Sequence, residues 1–237
     1  VTHGGDGFFL WAGQTTMDTG EGGCNDNLLY GNDFSYAPTN GIEVTFSRNK
    51  IIRNRMFECD HGIWGGYSFS TVINDNKFGD NRIAIAIEHG QRNEIGYNIF
   101  LRDKEAIKLW ARKEQPADWI YAQKKDTRSF DYTFTGNSFN SNPVAFNLNR
   151  SSQLKFIGNT YSLTGVNMKA DSTVTGIDSV SGELEDPVTK EPVVKVKNPS
   201  DPFRGSGKLA GRKNILITEW GPYDFSSPII WNTNTTD

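Results

Sequence analysis

One short phrase returns along this chain at a fixed interval: an aliphatic residue, two spacers, Asn, a spacer and a large apolar residue. It stands at Leu29/Asn32/Phe34, Ile51/Asn54/Met56, Ile73/Asn76/Phe78, Ile95/Asn98/Phe100, Phe134/Asn137/Phe139 and Phe156/Asn159/Tyr161, with 22, 22, 22, 39 and 22 residues between successive asparagines. Seven residues after each terminal apolar position lies a second column: Gly41, Ile63, Ile85, Ile107, Phe146 and Met168. Only the first is not apolar, and Ile42 follows it, as a one-residue slip would place it. A period of this length marks stacked units that bury a shared core. Helical repeats need longer amphipathic stretches than fit between these Gly and Asn turns, and the leucines of a leucine-rich repeat are missing. The spacing predicts an all-β parallel β-helix, a solenoid of ~22-residue coils stacked at about 4.8 Å. The recurring Asn reads as a ladder, each amide serving its own turn and the Asn of the next coil.

Departures from the period carry the functional signal. From Ile107 to Phe134 the chain takes 27 residues where Ile63 to Ile73 takes ten, and with Phe9 as the first column residue, Phe9 to Leu29 takes 20. The two long loops, 13–27 and 112–130, therefore leave the coil at the same point, four coils or roughly 19 Å apart. They predict two walls beside a floor of outward strand positions, since insertions on one face commonly form the binding side of a solenoid. Alternation puts Ile63, Ile85 and Leu109 inward and Trp64, Gly66, Glu88, Lys108 and Trp110 outward, with Glu43 and Thr45 outward in the slipped coil. Tyr67 and His89 fall at the strand ends.

Aromatic faces amid carboxylates suit a sugar chain, whose C–H faces lie on rings and whose hydroxyls bond to acids and amides. Trp64, Tyr67, Trp110, Arg112 and Trp119 are the candidate substrate-binding residues. Glu88, Glu43, Asp18 and His89 are the candidate catalytic residues, because glycoside hydrolysis uses two carboxylates and a histidine beside them can carry a proton. "FECDH" (57–61) offers Glu58, Asp60 and His61 as an acid/base or metal cluster, or as a polar turn. No cofactor or metal is expected: no Ca²⁺-repeat, zinc, nucleotide-loop or serine-elbow motif is present, although Ca²⁺ is compatible with the chemistry. A formal net charge of −3 and the lack of a basic stripe argue against a nucleic-acid partner, and no apolar run is long enough for a membrane span. Cys24 and Cys59 allow one disulfide without requiring it.

The phrases "GFFLWAGQTTMDTGEGGCNDNLLYGNDFS", "NGIEVTFSRN", "HGIWGGYS" and "IAIEHGQRNEIGYNIF" resemble the right-handed parallel β-helix proteins of the pectate-lyase-like superfamily. They are closest to the secreted bacterial proteins known as right-handed β-helix region proteins, over roughly residues 6–170. The resemblance implies a polysaccharide-binding groove and a secreted or cell-surface location. It does not transfer catalytic residues, because the paired-aspartate pattern of polygalacturonases and the epimerase motif are both missing. The functional expectation is a carbohydrate-active β-helix taking a polysaccharide or oligosaccharide, with glycoside hydrolase activity. The alternatives are a non-catalytic glycan-binding or structural surface protein, and a polysaccharide lyase or epimerase. Residues 1–170 are expected to form the coils, and 171–237 a proline-interrupted linker followed by a capping segment or the start of a further domain. The oligomeric state is left open.

Overall fold

A computed structural model describes residues 5–180. They form a right-handed parallel β-solenoid of about seven coils. Sheet A stacks Phe8–Leu10, Asn40–Val44, His61–Trp64, Ile83–Glu88, Glu105–Trp110, Val144–Leu148 and Val166–Ala170. Sheet B stacks Asn27–Tyr30, Asn49–Ile52, Val72–Asn74, Glu94–Gly96, Ser129–Thr135, Ser151–Ile157 and Thr175–Val180. Sheet C is a shorter stack of five, from Arg55–Phe57 to Thr160–Ser162. Every pairing between these strands is parallel, as one winding direction requires.

The period becomes register. Ile42 pairs with Ile63, Ile63 with Ile85, Ile85 with Ile107 and Ile107 with Phe146, so the slip at Gly41/Ile42 is real. Inside, Phe78, Phe100 and Phe139 stack with ring centroids 4.9 Å apart, and the more exposed Tyr161 ends the column at 5.3 Å. Burying each such side chain contributes about 1.5–3 kcal/mol, which lets a chain with 36% apolar residues hold a continuous core.

The asparagine column exists as expected. Asn76 Oδ1 accepts both the backbone N–H (2.9 Å) and the side-chain N–H (3.2 Å) of Asn54, and Asn76 in turn donates twice to Asn98 Oδ1 at 2.9 and 3.0 Å. Each Nδ2 also caps a carbonyl of the preceding coil, Ile51 for Asn76 and Ile73 for Asn98. The residue before each Asn is left-handed: Gly31, Arg53, Asp75, Tyr97, Gly136 and Gly158, with φ between 54° and 67°. That conformation costs a non-glycine residue about 1–2 kcal/mol, and the ladder bonds that follow it offset the cost. A shorter column turns another corner: Cys59 N–H donates to Asn81 Oδ1 at 2.8 Å, and Asn81 donates through its N–H and Nδ2 to Asp103 Oδ1 at 3.0 and 2.7 Å. Asp103 has no exposed surface, and burial pushes its carboxyl up to about 7.

Two sequence expectations change. The first column residue is Phe8, which pairs with Ile42 and packs on the core, whereas Phe9 pairs with Glu43 and is 60% exposed. "FF" presents two equivalent side chains, and the pleat decides which one enters. The solenoid also runs past residue 170, since Thr175–Val180 pairs with Ser151–Ile157. The linker and capping expectations for the remainder fall on 181–237, outside the described residues. The disulfide that the sequence allowed is not formed between Cys24 and Cys59; Cys59 is buried in the Asn81 corner while Cys24 Sγ faces the Trp11 carbonyl.

Candidate functional site

Both long loops do leave from the same edge, between a sheet A strand and a sheet B strand, and each holds one short helix, α1 (Gln14–Thr19) and α2 (Ile120–Lys124). They do not stand apart as walls. Lys124 Nζ donates to the Thr19 carbonyl at 2.9 Å and Lys125 Nζ lies 3.4 Å from Glu21 Oε1, so the two loops meet. What they cover is a corner of left-handed residues, Phe46, Tyr67 and His89. Their rings stack at 4.6 and 4.7 Å, within 13° of parallel. Trp119 sets its ring edge-on to Phe46 and Tyr67, and Tyr121 does the same. A crevice of about 320 Å³ remains between the loops and the corner.

His89 is 3% exposed and joins both stems of the second loop. The Arg112 backbone N–H donates to Nε2 at 3.0 Å, which makes Nε2 an acceptor and leaves the ring hydrogen on Nδ1, facing the Thr127 carbonyl. Gln115 Nε2 lies 2.7 Å from His89 Nε2 and 3.0 Å from Tyr67 Oη. Burial, the largest influence, holds the imidazole below the ordinary histidine range despite the Thr127 carbonyl and Glu88. Tyr67 is half-buried, and the desolvation of its phenol pushes it up to about 12.

The floor of sheet A is the outward row Phe9, Glu43, Trp64, Ala86, Lys108, Asn147 and Lys169, each paired with the next. One alternation further along, Glu88 pairs with Trp110. Trp64 and Trp110 approach with ring centroids 5.5 Å apart, and Lys108 Nζ lies 5.3 Å from the Trp110 ring. Glu88, 7% exposed, accepts the Trp110 indole N–H at 3.0 Å and Arg112 Nε at 2.9 Å on the same oxygen. The carboxylate thus fixes the tilt of Trp110 and the root of the second loop together.

Glu43 sits in a different environment. Asn40 Nδ2 donates to Glu43 Oε2 at 2.9 Å, and the Asn40 backbone N–H donates to Asp6 Oδ1 at the same distance. Burial first, and the negative field of Asp6 second, push the Glu43 carboxyl up to about 7. The contacts continue outward. Arg82, bidentate on Asp60, donates to His61 Nε2 at 2.8 Å, so His61 carries its hydrogen on Nδ1 and gives it to Asn40 Oδ1 at 2.9 Å. The His61 ring in turn tilts against Trp64 at 5.3 Å.

The structure places Glu43, Trp64, Lys108, Trp110 and Glu88 on one face of sheet A, and the side chain of Arg112, from the root of the second loop, joins them at Glu88. Asp18 is not among them: it lies exposed on α1 with Oδ1 accepting from Gln14 Nε2 at 2.8 Å. Tyr67, His89 and Trp119 belong to the covered corner, although Tyr67 and Trp119 also line an open recess with Arg112 and Gln115. Asp6, Asn40 and the orientation of His61 escaped the sequence reading. Asp60 pairs with Arg82, so "FECDH" divides between a surface ion pair and the floor. Among the described residues, no group of three or more His, Cys, Asp or Glu is arranged for a metal ion, and no helix is long and apolar enough to cross a membrane.

The sequence comparison agrees with this winding, for residues 6–117 match the family described as right handed beta helix region. The chain contains a right-handed β-helix region. The parallel coils of the β-helix continue beyond the matched stretch to Val180. No curated protein and no solved structure matches the chain.

Proposed function

We propose that this β-helix, a member of the pectate-lyase-like superfamily placed at the cell surface or secreted, binds a polysaccharide along the outer face of sheet A. The observation carrying this reading is the Trp64–Trp110 pair, half-buried and 5.5 Å apart, with Glu88 holding the Trp110 indole. Indoles fixed in this way bury sugar C–H surface at little conformational cost. Glu43, Lys108, Asn147 and Arg112 stand around them to bond hydroxyls or acidic groups. A panel of soluble neutral and acidic polysaccharides, run by affinity electrophoresis against the wild type and Trp64→Ala, tests the reading. Retardation by one glycan, lost in the variant, supports it; no retardation across the panel, or retardation equal in the variant, refutes it.

Glycoside hydrolysis is the second reading, and Glu43 favours it. A carboxyl near 7 is still partly protonated at neutral pH and can give that proton to a glycosidic oxygen lying over Trp64. Glu88, two coils away at roughly 10 Å between strands, approaches the separation of an inverting pair once side-chain reach is counted. Reducing-end release by the wild type, lost in Glu43→Gln with binding retained, tests this reading. Binding without release by either protein leaves a non-catalytic glycan-binding solenoid.

A further inference from the structure

The loop 112–130 has no strand of its own between Ala111 and Pro116, and side-chain anchors hold its stems, among them Gln91 Nε2 donating to the Arg128 carbonyl at 3.2 Å. His89 supplies two of them, one at each stem, through Arg112 N–H and the Thr127 carbonyl. Arg112 is also the residue whose side chain reaches Glu88, and Glu88 holds Trp110. A single imidazole thus connects the covered corner to the floor of the glycan face. We infer that His89 is a positioning residue whose neutral Nδ1–H form holds Arg112 and Gln115 in place, and that its protonation releases this strap and weakens the face beside Trp110.

The chemistry is directional. Nε2 accepts from Arg112 N–H and lies against Gln115 Nε2; once protonated, it becomes a donor facing two donors. The Nδ1 bond to Thr127 survives protonation, so the stem at Arg112 is the one that lets go. Glu88, adjacent on the same strand, favours the imidazolium, and Arg112 opposes it. Across the crevice stand Arg92 and Asp126; from the two loops come Glu21, Lys124 and Lys125, and Tyr67 and Tyr121 close the stack. Asp126 is tied up by Arg128 and Glu21 by Lys125, so neither offers the imidazolium an unengaged partner. Desolvation is the largest influence on the ring, which makes the neutral form the resting one near neutral pH.

The consequence for the face rests on the glycan-binding reading above; the strap itself does not. The test is a ¹⁵N-histidine NMR titration from about pH 8 to about pH 4, with backbone amide spectra of the same samples and of His89→Gln. Glutamine keeps a donor and an acceptor at that site but does not titrate. The strap predicts His89 as the Nδ1–H tautomer, titrating below an exposed histidine, with the amides of 112–116 moving at the same midpoint and remaining still in His89→Gln. An Nε2–H tautomer, loop amides that ignore the ring titration, or equal movement in the variant would overturn it. In a second arm, glycan affinity should fall through that midpoint in the wild type alone. Loop amides that follow the ring while no glycan binds would sink the glycan reading and leave the strap standing. A glycan affinity indifferent to that midpoint would sink the link to the face.

Discussion

Trp110 donates its indole N–H to Glu88 at 3.0 Å, on the same carboxylate oxygen that Arg112 approaches at 2.9 Å. Glu88 is therefore best understood through what it holds. A buried carboxylate accepting two charge-assisted or indole bonds leaves two donors unpaired when it is removed. Glu88→Gln, which keeps an acceptor oxygen, should lose about 1–2 kcal/mol of stability, and Glu88→Ala more, read by urea denaturation. On the proposed glycan reading, both should weaken binding alongside Trp110→Ala.

The Asn column makes a graded prediction. Asn76→Ala removes the acceptor for two N–H groups of Asn54 and the donor to the Ile51 carbonyl, all in a fully buried site. A loss of about 3 kcal/mol or more is expected. Asn32 heads the column, is only half-buried, and donates to Asn54 alone among its ladder neighbours. Asn32→Ala should cost about 1 kcal/mol, because water can replace what is lost. Equilibrium denaturation of the two variants measures the difference.

Asp103 occupies an asparagine's place in the second corner ladder, between Asn81 and Asn142. Its folded carboxyl lies at about 7 against an ordinary value of 3.8. The folded state thus binds the proton more tightly than the unfolded chain, and the stability it supports is complete below the unfolded value and lost as pH rises through about 7. Asp103→Asn supplies the amide the ladder uses elsewhere and should stabilise the protein by about 2 kcal/mol at alkaline pH. Near pH 4 the gain should be much smaller. Denaturation midpoints across the pH range decide it, and a variant with an unchanged pH slope would show that Asp103 is not the group responsible.

Glu43 gives a prediction of the same sign for catalysis. If hydrolysis is detected, turnover should fall as pH rises through about 7, because the acid form is being lost. Glu43→Gln should lower turnover by at least about 100-fold. Asp6→Asn should move the alkaline limb downward, since after burial the Asp6 charge is the next influence holding Glu43 up.

Much of the fold could be read because the coil repeats its own chemistry. Ile73, Asn76 and Phe78 announce their places by recurring at 51, 54 and 56 and at 95, 98 and 100. Phe8 has no preceding phrase to fix its register, so the pattern alone points to its neighbour Phe9. Spacing located the two insertions but could not say that they fold toward each other; that depends on Lys124 and Lys125 finding Thr19 and Glu21 at a separation of about a hundred residues. Asp6 reaches Glu43 from the first coil, before any phrase begins. The column Phe46, Tyr67 and His89 was legible in principle, since its members stand 21 and 22 residues apart. Its left-handed backbone and ring stacking show that these side chains first build a corner.

The proposal that a glycan lies on sheet A is tested most directly by indole N–H spectra recorded while an oligosaccharide is titrated into the protein. Trp64 and Trp110 share the floor, whereas Trp119 packs edge-on against Phe46 and Tyr67. Signals of Trp64 and Trp110 that shift together and saturate with one binding isotherm are the expected result. A bound sugar that leaves both signals in place would contradict the account.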